Sequence, residues 1–440
     1  MYRKLTFPWF LLGLGSQLQV LFSLSISEVL VLITAPFLMV SEIPYMRRNG
    51  VMPFFWMAIL LFCGCVVSLI VNQAQSYQVI RGVSITGLIV FAIVVGHYML
   101  RNDPAGLKWF FIGVMLSRFL CIFVFQRSVE VAAVGSDELD AIMSGKLFWI
   151  QRIGALLTAP IQAFYLKIPI IYSICAPLFL ALFSILISTS GRSSSLIFLG
   201  AAVMVMLGRK KKVSIRAIGR HFTLYFCFVL VGIFIITAAY QWAALNNYLG
   251  EEARTKYEQQ TARGTGVVQL LIGGRGDSFV GFLAIADSPI WGKGYWARDT
   301  EGYNERFLAK YGTPEDYEHY MNFRKYLNSI GVFDRGIPCH SHITSFWLWY
   351  GLPGLLFWLY IIYIVFRYLK NDAYAVPQWF YWLAAGVPGL MWHMLFSPFH
   401  SRVELPLYVV GMLIARAVRL GKYQLPYAMI REIEEVERGN

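Results

Sequence analysis

Apolar runs of about twenty residues, the length at which an α-helix crosses the hydrocarbon core of a bilayer, recur from one end of this chain to the other. In lipid each spanning segment must satisfy its own backbone polar groups, so every such run reads as a helix. Of the 440 residues 57% are hydrophobic, 16% aromatic and only 14% charged, the balance of a polytopic membrane protein. The runs fall at 9–25, 27–43, 51–71, 83–100, 107–125, 153–166, 168–188, 193–208, 221–243, 342–366, 375–396 and 403–419. About twelve transmembrane helices are therefore expected in an all-α polytopic membrane protein. The first is expected to be retained, because Met1-Tyr2-Arg3-Lys4 enters an apolar stretch without a clear cleavage site.

Basic residues set the orientation, since short cytoplasmic connections carry the excess of lysine and arginine. Arg3-Lys4, Arg47-Arg48, Arg101 with Lys108, Lys167, the run from Arg209 to Arg220, Arg367 with Lys370, and Arg416 to Lys422 all fall on one side. Both termini are then cytoplasmic. The net charge of +13 is accounted for by topology and anionic lipid, with no nucleic-acid partner implied.

The opposite face receives the turns near 72–81, 126–152, 189–192 and 397–402, and one loop of roughly 95 residues, too long for a mere connector. Four regions follow: a membrane domain over 1–243, a large loop over 244–340, the last three helices within 341–422, and a charged cytoplasmic tail over 423–440. The loop carries amphipathic stretches at 248–260 and 303–327 and is expected to form short helices capping a cavity.

The cysteines form no disulfide framework. Cys63, Cys65, Cys121, Cys175 and Cys227 lie in spans, and Cys339 alone is expected to face the outer compartment. Cys339 adjoins His340, but neighbouring side chains point apart, which disfavours a catalytic pair. No HExxH, CxxC or Asp-x-Asp occurs, and His340 and His342 would diverge by about 200° on a helix, so no metal is implied.

Arginine carries more information. Arg192 breaks the positive-inside pattern and is flanked by Ser190, Gly191 and Ser193-Ser194-Ser195, a setting for binding an anion or for a helix-end arginine reaching to the interface. Arg275 lies in Gly273-Gly274-Arg275-Gly276-Asp277, where glycines permit close approach and the guanidinium fork matches phosphate. Arg118 is buried in the fifth span, where it either lines the site or pairs with Glu28.

Downstream, Pro289-Ile290-Trp291-Gly292-Lys293-Gly294 precedes His340-Ser341, and nine residues later come Gly351 and Gly354. In this order, with Arg275 ahead of them, these residues resemble the signature region of the O-antigen ligase and O-antigen polymerase superfamily of bacterial envelope glycosyltransferases. The resemblance is strong from Arg275 to Leu359, and Arg192 matches an arginine those enzymes carry at a periplasmic helix end.

The resemblance implies a GT-C-like membrane enzyme of the bacterial inner membrane with its site on the periplasmic side. It would transfer a glycan from undecaprenyl diphosphate to a sugar hydroxyl by an inverting reaction, with no cofactor. His340 would be the general base, and Arg275 and Arg192 would take up charge on the diphosphate. Ser341, His342, His400, Arg402 and Arg118 are secondary candidates for acceptor or phosphate contact. The acceptor is a lipid-linked repeat unit if the enzyme is a polymerase, the favoured reading, or lipid A core if it is a ligase. A chain-length regulator is a further partner of such enzymes. Trp347, Trp349, Tyr350, Tyr295 and Trp296 either stack on sugars or form an interfacial belt. A flippase or other transporter is the alternative of a different class, disfavoured by the lack of an internal repeat.

Overall fold

The computed structural model describes residues 5–16, 18–21, 24–103, 106–120, 241–248, 276–311, 336–339, 341–370, 377–396 and 411–416, with scattered positions between 200 and 325. The described residues are mostly helical. Among them three helices, α2 (Ile26–Arg48), α3 (Met52–Val71) and α4 (Ser76–Asn102), are long and apolar enough to cross a membrane. At 1.5 Å per residue the shortest is about 30 Å long, matching the hydrocarbon core. The protein is membrane-embedded, and Phe37, Val40 and Ile70 project outward with most of their surface uncovered, as lipid-facing side chains do.

Local sequence sets the ends of these helices. Ser25 and Glu28 form a reciprocal cap on α2, the Ser25 hydroxyl accepting from the Glu28 amide at 3.2 Å and the Glu28 carboxylate accepting from the Ser25 amide at 2.6 Å. Gln75 and Gln78 do the same for α4. Arg47 and Arg48 close the last turn of α2, where the helix dipole favours cations.

The amino-terminal end differs from the expectation of one span over 9–25. α1 covers only Thr6–Leu14, about 13 Å, and an antiparallel ribbon of β1 (Gln19–Leu21) and β2 (Leu24–Ser25) follows. Apolar composition alone did not distinguish a short packed helix from a spanning one. α1 lies closely against α5 (Leu107–Phe119), with Gly13 against the Phe110 carbonyl and Gly113 against backbone of Phe10 and Leu14. Asp103 ties this pair to α4 by accepting from the Leu5 amide at 2.8 Å.

Charged groups inside the spans close on one another. The fully buried Glu42 of α2 accepts from Arg101 at 2.5 Å and lies 2.8 Å from His97, both of α4, while Asn49 meets the other His97 ring nitrogen at 3.0 Å. Arg101 also lies over the Tyr45 ring at 3.8 Å. A buried charge left unpaired here would cost several kcal/mol, about 3–5, so the cluster holds α2 and α4 in register.

Further along the chain come α6 (Gly276–Asp287), α7 (Tyr303–Tyr311), α8 (His342–Tyr350), α9 (Leu352–Lys370) and α10 (Pro377–Phe396). The expected single span over 342–366 is corrected: it is two helices meeting at Gly351. A continuous helix would hold residues 342 and 358 about 24 Å apart. Their rings lie 5.2 Å apart, and Phe346 packs on both Phe357 and Trp358, so α8 folds back along α9. α9 in turn packs on α3, where Gly64 admits Pro353.

Candidate functional site

α8 begins and ends with backbone devices that its sequence specifies. The Ser341 hydroxyl accepts from the Thr344 amide at 3.0 Å and pairs with the Thr344 hydroxyl at 2.8 Å, a helix N-cap. At the other end Gly351 has φ +66°, and a Cβ there would meet the Ile290 carbonyl. Position 351 therefore requires glycine both for its dihedral and for its neighbour.

Breaking a helix orphans the last carbonyls of one half and the first amides of the next. The stretch 289–294 satisfies them. The Lys293 amide donates to Leu348 O at 2.6 Å, the Gly294 amide to Trp349 O at 3.1 Å, and the Leu352 amide to Ile290 O at 2.9 Å. Trp347 adds its indole N–H to Pro289 O at 2.9 Å. Gly292, at φ +72°, lies so near that a Cβ would come 2.6 Å from the Gly351 nitrogen. The two glycine-bearing motifs, separated by nearly sixty residues of chain, thus form one seam.

α3 braces this seam from the membrane side. Ser68 Oγ donates to Trp349 O at 2.7 Å and accepts from the Gly294 amide at 3.1 Å, while Asn72 donates to Gly292 O at 3.1 Å. Sequence reasoning missed both residues. Their one signal was a serine and an asparagine a single turn apart, close to the end of an otherwise apolar span.

α6 leads into 289–294 and so reaches the C-terminal end of α8, whereas Gly281, nearer its start, faces Cys339 just ahead of α8. The two helices run side by side in one direction. Gly276 and Ser341, the described neighbours of Arg275 and His340 in the chain, stand at those two N-termini.

His340, Arg275, Arg192, His400 and Arg402 lie outside the described residues, as does the side chain of Arg118 in α5. Glu28, proposed from sequence as an alternative partner for Arg118, serves in the α2 cap. Ser341 spends its hydroxyl on helix capping. His342 is 2% exposed, with its ring between Trp358 and, 5.8 Å away, His393 of α10, a histidine that sequence reasoning did not single out. Cys339, expected to face the outer compartment, is instead buried against α6, since the small Gly281 leaves room for its sulfur.

Beyond the seam the loop is pinned by charge. Lys293 pairs with Glu301 at 2.7 Å, and the Tyr303 hydroxyl lies between the Glu301 and Asp287 carboxylates at 2.6 and 2.7 Å. The hydrogen bond from Lys293, then that from Tyr303, holds the Glu301 carboxyl below its usual range. Burial, then the adjoining Glu301 and Asp287, raises the Tyr303 hydroxyl. Asp299 caps α7 by accepting from the Tyr303 and Asn304 amides at 2.6 and 2.9 Å. Among the described residues no three His, Cys, Asp or Glu side chains are grouped to hold a metal ion.

No family model, curated protein or solved structure matches this chain. What its site does must be reasoned from its residues.

Proposed function

We propose that this protein is a glycosyltransferase of the O-antigen ligase and polymerase type, working at the periplasmic face of the bacterial inner membrane. The supporting observation is the seam: the Pro-x-x-Gly-x-Gly stretch and the Gly-x-x-Gly turn, two separate pieces of the resembling motif, are hydrogen-bonded together. A polytopic, GT-C-like plan with a cytoplasmic carboxy terminus completes the reading, with one span fewer than the sequence suggests because α1 is too short to cross.

In this reaction the acceptor hydroxyl oxygen attacks the anomeric carbon of the lipid-linked glycan. His340 takes the hydroxyl proton, the C–O bond to the diphosphate breaks, and that electron pair leaves with undecaprenyl diphosphate, inverting the anomeric centre. Arg275 and Arg192 stabilise the charge that develops on the phosphates. The two parallel helix N-termini of α6 and α8 favour negative charge at the same end, which adds to the guanidinium field. No metal or nucleotide enters this scheme, and growth of a polysaccharide on a second lipid-linked unit is the favoured outcome.

A broken helix is also a device of ion-coupled transporters, where unwound carbonyls coordinate the ion. Here the Leu348 and Trp349 carbonyls already accept from Lys293 and Gly294, so they are committed to holding the fold. Glycosyl transfer remains the better reading of this break.

The test is transfer from purified lipid-linked donor. His340→Ala and Arg275→Ala, with membrane insertion verified, are expected to lose about a hundredfold or more in rate. Native rates in both would sink the assignment. Offering a lipid-linked repeat or lipid A core as sole acceptor separates polymerase from ligase.

A further inference from the structure

Trp296 has a left-handed backbone, φ +55°, which a bulky side chain seldom adopts and which is conformationally costly. The preceding residue, Tyr295, fills the interior at 5% exposure and packs on the Trp349 and Tyr350 rings. The strained turn has the opposite effect on Trp296, which is left 38% exposed.

Polar groups lie close to this turn. Gln78 donates to the Trp296 backbone carbonyl at 3.3 Å, and Arg298, two residues further on, donates to the Tyr77 hydroxyl at 3.0 Å. Trp349 lies 5.9 Å away, and Gly336 leaves space beside the indole N–H that a side chain would crowd. An exposed aromatic face with a guanidinium and a phenol on the neighbouring chain suits a pyranose, whose C–H face is apolar and whose edge is all hydroxyl.

The plate also lies near the proposed chemistry. Arg298 bridges Gly336, and the Ile337 amide donates to Ala297 O at 2.8 Å. His340 is four steps along the chain from Gly336, so the two lie at most about 14 Å apart. That distance is within reach of a short oligosaccharide.

We infer that Trp296, with Arg298 beside it, is a glycan-binding subsite that grips a sugar ring of the oligosaccharide beyond the reacting unit. This rests on the proposed glycosyltransferase reading. The atoms that react are left to His340 and Arg275, and Trp296 is a positioning residue.

The experiment uses the full chain in lipid nanodiscs. Its probe is the oligosaccharide released by mild acid from the lipid-linked glycans of the cells that make the protein. Affinity is measured by titration, and KM and kcat for transfer are measured in parallel. Trp296→Ala is expected to weaken binding and raise KM by roughly tenfold with kcat little changed, while Trp296→Phe retains most of the affinity. Trp296→Gly is the control for folding: it relaxes the positive φ, so its melting temperature should hold or rise while sugar affinity falls as in the alanine variant. Native affinity in the alanine and glycine variants overturns the subsite, as does equal loss in the phenylalanine variant. If His340→Ala abolishes transfer while Trp296→Ala leaves affinity intact, the subsite fails and the glycosyltransferase reading stands. If the native protein neither binds the oligosaccharide nor transfers it, both fall.

Discussion

Ser341 stands next to the proposed base, and its hydroxyl already has a structural task. If capping is its whole role, Ser341→Ala should cost about 1 kcal/mol of stability, and the neutral cap in Ser341→Asn should restore both the melting temperature and transfer. A variant that regains stability without activity would return the hydroxyl to the substrate. The Lys293–Glu301–Tyr303 group gives a second residue-scale test. Because the folded Glu301 carboxyl is held low, its stabilisation is complete above the ordinary value of 4.5 and is lost as pH falls through the lowered one. Tyr303 is raised, so its part is complete below the ordinary value of 10.0 and is lost as pH rises further. Hydrogen exchange over 293–304 should therefore be slowest, relative to intrinsic rates, between those limits. In Glu301→Gln the acid limb should flatten, and an unchanged acid limb would remove Glu301 from the account.

At the scale of elements, the hairpin of α8 and α9 depends on one dihedral and one strand of loop. Gly351→Ala places a Cβ against the Ile290 carbonyl at a positive φ, and a loss of more than about 1 kcal/mol is expected, read as a lower melting temperature in detergent. Gly292 is the matching position across the seam, which is why both motifs contain glycine there. The seam was partly legible in the sequence. The glycines and their spacing were visible and their resemblance named, and Gly351 followed by Pro353 marks a helix break, but nothing within the run shows that the span over 342–366 folds back on itself there. A hydrophobicity profile registers only the residues in the run, and the groups that make this break affordable lie in 289–294 and at Ser68 of α3. The α1 segment failed for a related reason, since close glycine contacts with α5 let a short helix bury itself without crossing the membrane.

For the whole molecule, the proposed orientation rests on the basic residues alone and can be checked without activity. In intact cells lacking Cys63, an impermeant maleimide should label Gln73→Cys, at the turn after α3, and should label Arg48→Cys only once the cells are opened. The reverse pattern would turn the protein over and move the seam to the cytoplasm. The same experiment separates the proposed periplasmic transferase from any cytoplasmic one.

By itself the sequence determined that this chain lives in a bilayer, that the runs now seen as α2, α3 and α4 form helices of spanning length, and which glycines, arginines and histidine merit attention. Those are properties of single segments: a helix in lipid satisfies its own backbone, so its identity can be read from one run of residues. Only the tertiary structure decided that a predicted span is a hairpin, that 289–294 closes it, that Ser68 and Asn72 brace it, and that Trp296 faces out while Tyr295 faces in. Each of these depends on hydrogen-bond partners and packing surfaces far away in the chain, and no local pattern encodes which distant group will arrive.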